Sequence, residues 1–127
     1  MNNERLTFTK DERLKSIAEI SRVFNNGQSL LVYPVRVIWI PSDTVGPYPV
    51  KAAFGVSRRN FKNAVHRNAI KRKMREIYRL NKSSFYAGLG PHCLSVMFFY
   101  VARVILPYRS VEKAMLSAMH MIVRKNR

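Results

Sequence analysis

FGVSRRNFKNAVHRNAIKRKMREIYRLNK, residues 54–82, reads as the end of a strand, a basic turn and then a helix with one strongly cationic face. At about 100° per residue, Arg67, Lys71 and Arg75 fall on successive turns at i, i+4 and i+8. Asn68, Arg72, Arg75 and Arg79 fill the rest of that side, while Val65, Ala69, Ile70, Met74, Ile77 and Leu80 take the other half. Like charges at this spacing repel, by a few tenths of a kcal/mol per pair. Glu76 is the only acidic residue between Asp43 and Glu112, so little neutralises them. A face that is merely solvated intersperses both signs. This one repeats a single sign over three turns, which predicts one face for a core and one for a polyanion.

Outward from this segment the elements follow by period and punctuation. Val50 to Ser57 is the strand that feeds the turn. Before it, LLVYPVRVIWI from Leu30 to Ile40 is β-branched and aromatic and reads as another strand, with Pro34 marking an edge or bulge. Pro41 to Pro49 is expected to connect the two as a hairpin loop. Asp11 to Asn26 carries Leu14, Ile17, Ile20, Val23 and Phe24 at helical spacing and stops at Gly27. Downstream, Asn81 to Pro91 reads as a loop, and CLSVMFFYVA from Cys93 to Ala102 as a strand apolar on both faces, hence central. Ser110 is expected to cap a last helix whose stripe is Val111, Met115, Ala118, Met119 and Ile122. A basic tail, residues 124–127, is expected to fray. The order α-β-β-α-β-α, with room for one more short strand, predicts an α/β (α+β) compact two-layer sandwich.

The chain of 127 residues fits a single domain, residues 1–127, with 47% apolar residues to build a core. Its 23 Lys and Arg against 7 Asp and Glu give a net charge of +16. Such an excess calls for an acidic partner, nucleic acid first and a membrane surface second. No apolar run approaches the roughly 18 residues needed to span a bilayer. The opening MNNERLTFTK holds no hydrophobic signal core, so a cytoplasmic location is expected. The single cysteine, Cys93, excludes an intrachain disulfide and is expected to be a small core residue. His66, His92 and His120 show no ligand spacing.

No catalytic constellation stands out. Asp11, Glu12 and Glu19 share the first helical region, Asp43 sits in a loop, and Glu76 and Glu112 are isolated. Gly88-Leu89-Gly90 precedes Pro91 and a strand, not the helix that a phosphate-cradling loop requires. A protein that contacts RNA while another component does the chemistry fits this inventory better than a two-metal nuclease. Were six cations to neutralise phosphates, affinity would fall roughly a thousandfold between 50 and 200 mM salt.

The segment VSRRNFKNAVHRNAIKRKMRE, Val56 to Glu76, resembles the signature region of the bacterial ribonuclease P protein subunit. RLKSIAEISRVFNNGQS, Arg13 to Ser29, resembles that family's opening helix and glycine turn, and YVAR, Tyr100 to Arg103, the end of its last strand. The resemblance implies an α/β sandwich with a left-handed βαβ crossover. It implies a non-catalytic subunit of an endoribonuclease, in which a catalytic RNA with Mg2+ removes the 5′ leader of precursor tRNA. The implied partners are that catalytic RNA and the precursor tRNA, with no membrane and no protein partner required. No metal is expected on protein side chains alone.

Carried onto this chain, the resemblance assigns RNA contacts to Arg58, Arg59, Lys62, Arg67, Asn68, Lys71, Arg72 and Arg75. The family's Arg-Asn-Arg triplet begins at Arg67-Asn68 but meets Ala69, which the helical projection turns towards the apolar half. The family's leader cleft lies between the first helix and the sheet, which assigns it Lys15, Ile20, Phe24, Arg36 and Ile38. Ile20 stands where an aromatic is expected. Period-two alternation puts Arg36 and Ile38 on one face and Trp39 on the other, where it is expected in the core. A structural ribosomal protein or RNA chaperone is the competing class, and a protein-only nuclease a third. The Val56–Glu76 motif separates the leading reading from the competing class, and the sparse acidic residues disfavour the third.

Overall fold

The structure, a computed structural model, describes residues 8–42 and 46–126. Asp43 and Arg127, placed above in a loop and a tail, lie outside the described residues. The elements are a 3-10 turn Lys10–Glu12, α1 Ile17–Asn26, β1 Gln28–Val32, β2 Val35–Pro41, β3 Val50–Val56, α2 Ala64–Leu89, β4 Leu94–Tyr100 and α3 Tyr108–Lys125. One four-stranded sheet has the order β1-β2-β4-β3. β2 is antiparallel to both β1 and β4, and β3 is parallel to β4. A parallel pair needs a crossover, and α2 provides it.

The apolar strand Leu94–Tyr100 is central, as its two-sided hydrophobicity predicts. The expected hairpin across residues 41–49 is not there, because β4 inserts between β2 and β3. The hairpin lies earlier, inside what reads as one strand. Val32 pairs with Val35 across Tyr33-Pro34, a cis peptide. Proline has no N–H for a ladder, so it sits in the turn rather than at a strand edge.

Each face of the sheet is covered. Val35, Val37 and Trp39 of β2, Val50 and Ala52 of β3 and Val96, Phe98 and Tyr100 of β4 meet α2 and α3 in the main core. On the other face Ile40 and Met97 pack with Leu14 and Val23 under α1. Trp39 is buried, as alternation requires. Cys93 is only half-buried, because it precedes β4 rather than lying within it.

Helix boundaries move for local reasons. The first helix begins at Ile17 rather than Asp11, because Ser16 accepts the Glu19 N–H at 3.2 Å and caps it there. Upstream, Arg13 is extended and bridges to Ala52 beside β3, and Ile17 of the predicted stripe faces outward. α2 runs on through the expected loop to Leu89. Tyr78, Lys82, Phe85 and Leu89 continue its buried side at steps of four, three and four. It stops at Gly90, whose φ of +62° suits glycine. α3 starts at Tyr108 behind Pro107, not at Ser110, and its predicted stripe is buried throughout. Arg124 and Lys125 belong to its last turn rather than to a frayed tail, and the Asn126 side chain donates to the Ile122 carbonyl at 2.8 Å.

Candidate nucleic-acid interface

The turn between β3 and α2 is built by its own side chains. Asn63 accepts the Val65 N–H at 2.8 Å and caps α2. One turn into the helix, Arg67 Nη1 donates to the carbonyls of Phe61 and Lys62 at 2.8 and 2.9 Å. Arg67 therefore folds the turn back onto α2. Asn60 Nδ2 ties the same turn to the Val101 carbonyl after β4, at 3.4 Å. Arg58, Arg59 and Lys62 are thereby held on a braced, exposed loop at the mouth of the helix.

Along α2, Asn68, Arg72 and Arg75 are exposed and Lys71 is half-buried. Among the described residues no salt bridge engages Arg58, Arg59, Lys62, Lys71, Arg72 or Arg75. Arg79, placed with them by projection, is held by Glu76 through bonds of 3.0 and 2.6 Å. That bidentate contact lowers the Glu76 carboxyl below its ordinary range. The free cationic face therefore ends near Arg75. Ala69 is exposed, as are Val65 and Leu80, against the helical projection. The core touches α2 along the Ile70–Met74–Ile77–Tyr78 line, a narrower stripe than the one projected. A side chain at position 69 is consequently exposed to solvent, one turn before Arg72 and Lys73.

On the α1 side of the sheet, Phe24, Arg36, Ile38, Ser57, Asn60 and Phe99 line a cleft of about 290 Å³. Three of the five residues assigned to a cleft from the sequence meet here. Ile20 instead packs with the small cluster under α1, and exposed Lys15 precedes the Ser16 cap, outside the lining. Phe24 is 50% exposed, and its ring lies 5.3 Å from that of Phe99. Arg36 Nη1 donates to Ser29 Oγ at 2.9 Å, which steadies the guanidinium at the rim.

Phe99 was not singled out from the sequence, although alternation along β4 sets it on the face of Met97. Its ring occupies space that a Cβ on Gly55 would need, at 2.6 Å from the nearest ring carbon. Glycine at this position lets the ring lie over β3 and form the cleft floor. The helix above is anchored from below. Glu19 accepts from Arg22 at 3.0 and 3.1 Å and from buried Ser95 Oγ at 2.6 Å. These bonds, Arg22's first, lower the Glu19 carboxyl. The cleft and the cationic face share the residue 57–60 turn, so one backbone segment sets their relative position.

Comparison with known proteins places the fold and the family. The family model described as Ribonuclease P matches residues 8–123. The ribonuclease P protein component of Porphyromonas gingivalis is 36% identical over 110 residues, covering 84% of this chain and 80% of that one. The protein component of Chlorobaculum tepidum is 32% identical over 126 residues, covering 89% of this chain and 79% of its own length. The solved RNase P protein of Staphylococcus aureus superposes with a TM-score of 0.71 at 20% identity, covering 89% of this chain and 96% of that one. That of Thermotoga maritima gives 0.68 at 21% identity, with 87% and 96% covered. The match to the family model across nearly the whole chain and the identity to relatives over about four fifths of their length lead to one conclusion: this chain belongs to the ribonuclease P protein component family.

Proposed function

We propose that this protein serves ribonuclease P as its RNA-binding, non-catalytic subunit in 5′ maturation of tRNA. The observation that carries the reading is the shared turn. A run of cations that no salt bridge engages among the described residues and an apolar cleft with an arginine rim meet at residues 57–60. Arg58, Arg59, Lys62, Lys71, Arg72 and Arg75 would neutralise phosphates of the catalytic RNA, with Asn68 adding a directional hydrogen bond. Arg67 would present the turn as well as contribute charge. Such contacts fix register without reading sequence, which suits a subunit serving many precursors.

The cleft would seat a nucleotide of the 5′ leader. Phe24 offers a half-exposed ring for stacking, Ile38 and Phe99 an apolar floor, and Arg36 a phosphate contact at the rim. Stacking tolerates any base. Two RNAs brought together repel, and a domain of net charge +16 between them reduces that cost. Among the described residues no three His, Cys, Asp or Glu side chains gather where they could hold a metal ion. Magnesium would be held by RNA phosphates, supplying Lewis acidity and an activated water for hydrolysis.

Reconstitution tests this reading. The protein alone should leave precursor tRNA uncut, and adding a cognate catalytic RNA should give authentic 5′ ends at low magnesium. Cleavage by rigorously RNA-free protein would overturn it.

A further inference from the structure

A second cationic surface lies away from both the α2 face and the leader cleft. The sheet register aligns Val35 and Val56 with Tyr100, so the β1–β2 turn, the residue 57–63 turn and the β4–α3 loop share one end of the sheet. There, between the β1–β2 turn and α3, runs a groove of about 420 Å³ lined by Tyr33, Pro34, Leu106, Lys113 and Ala114. It opens on the α2/α3 side of the sheet, opposite the leader cleft. Tyr33 is 62% exposed, an aromatic ring standing on a tight turn. Arg109 and Lys113 are exposed one helical turn apart at i, i+4 on α3, and no salt bridge engages either among the described residues.

We propose that this groove is a second contact for the catalytic RNA, in which Lys113 on its wall and Arg109, one helical turn away beside it, neutralise backbone phosphates and an unpaired base stacks on Tyr33. The inference rests on the RNA-binding reading above. Three features favour RNA over a protein occupant. Cations outside any salt bridge among the described residues, beside an exposed ring, match a phosphate chain with bases. The net charge of +16 opposes docking of a second copy. Lys73, on α2, donates to the Leu106 carbonyl at 3.4 Å, so the groove wall is joined to the helix that bears the first RNA face. The catalytic RNA rather than the leader is the occupant, because the groove and the leader cleft open on opposite sides of the sheet.

The test is binding of a cognate catalytic RNA, without substrate, across a salt series. Arg109→Ala with Lys113→Ala should weaken binding and flatten the log–log salt slope by about 1.4–1.8. Tyr33→Ala should weaken it roughly fivefold or more, and Tyr33→Phe should bind as wild type. All should keep the wild-type preference for precursor over mature tRNA. A parallel Lys71→Ala, Arg72→Ala, Arg75→Ala variant separates the two readings. If that variant loses affinity while the groove variants keep wild-type affinity and slope, the groove proposal is overturned alone. Should neither set alter binding, the α2 reading fails first and takes this one with it. Loss of precursor preference with unchanged catalytic-RNA binding would assign the groove to substrate and overturn the proposal. The charge variant guards against misfolding, since both of its side chains are exposed.

Discussion

Lys82 Nζ donates to both carboxylate oxygens of Glu12, at 2.8 and 2.6 Å, and both side chains are buried. Tyr86 O–H donates to the same carboxylate at 2.6 Å, and Thr9 gives its N–H and hydroxyl at 2.9 and 3.0 Å. The pair staples the segment before α1 onto α2, 70 residues away in sequence. A buried pair with its remaining lone pairs satisfied is costly to break from one side only.

Lys82→Met should therefore destabilise the fold by about 3–5 kcal/mol, since it leaves the Glu12 charge buried without a counter-ion. Adding Glu12→Gln should recover part of that loss. Urea unfolding of the two single variants and the double variant checks this, and strict additivity would contradict the coupling.

The same pair sets an acid dependence. Burial acts to raise the Glu12 carboxyl, but hydrogen bonds from Lys82, Tyr86 and Thr9 outweigh it and hold the group below its usual 4.5. A carboxyl depressed in the folded state binds fewer protons folded than unfolded. Its contribution is complete above the unfolded value and fades as pH falls through the folded one. Urea midpoints of wild type and Glu12→Gln should differ at pH 7 and converge below pH 4.5. A gap that stayed constant from pH 7 to pH 3 would show that Glu12 does not titrate with folding.

Gly55 and Phe99 make the cleft floor a single unit. Gly55→Ala places a methyl 2.6 Å from the Phe99 ring, which must move and loosen its contact with Phe24. Overpacking of this kind costs about 1–3 kcal/mol. Gly55→Ala should also lower the preference for precursor over mature tRNA, and pairing it with Phe99→Leu should recover stability but not that preference. Filter binding with both tRNAs and thermal unfolding read the two effects apart.

Arg67 and Arg72 lie five residues apart on α2 and should answer differently. Arg67 holds two carbonyls of the preceding turn, and hydrogen bonds from a charged group contribute about 1.5–3 kcal/mol. Arg67→Ala should lose stability as well as affinity for the catalytic RNA. Arg72 is exposed and outside any salt bridge among the described residues, so Arg72→Ala should flatten the salt slope by about 0.7–0.9 at unchanged stability. Equal stability losses in the two variants would mean that Arg67 does not brace the turn.

What the sequence revealed and concealed has physical causes. Period and sign placed Lys71, Arg72 and Arg75 on one surface, because helical geometry needs no tertiary knowledge. Alternation likewise put Trp39 in the core and Arg36 with Ile38 on the opposite face of the strand, while only the family resemblance assigned that face to a cleft. The β1–β2 hairpin was hidden because Leu30 to Ile40 is hydrophobic almost throughout, and only pairing partners show where it doubles back. α2 was cut short because Ser83, Ser84 and Gly88 read as loop residues, while Phe85 and Leu89 are held by packing against the rest of the fold. Lys82 could not be seen as a core residue, since its justification is Glu12, far away in sequence. Phe99 gained its role from Gly55 on a neighbouring strand, a contact that only the parallel register creates.

Ala69 gives a gain-of-function prediction. It is exposed on α2 one turn before Arg72 and Lys73, at the edge of the cationic face, where the family triplet has its second arginine. Ala69→Arg adds a charge in that surface without touching the core, and an exposed helical substitution of this kind should change stability by no more than about 0.5 kcal/mol. If position 69 faces the catalytic RNA, affinity should rise and the salt slope should steepen by about 0.7–0.9, as one further phosphate is neutralised. A steeper slope for a neutral Ala69→Gln variant would point instead to a general change in α2. Unchanged affinity and slope in the Ala69→Arg variant would mean that the RNA surface passes position 69 by, leaving Arg72 and Arg75 as its nearer boundary.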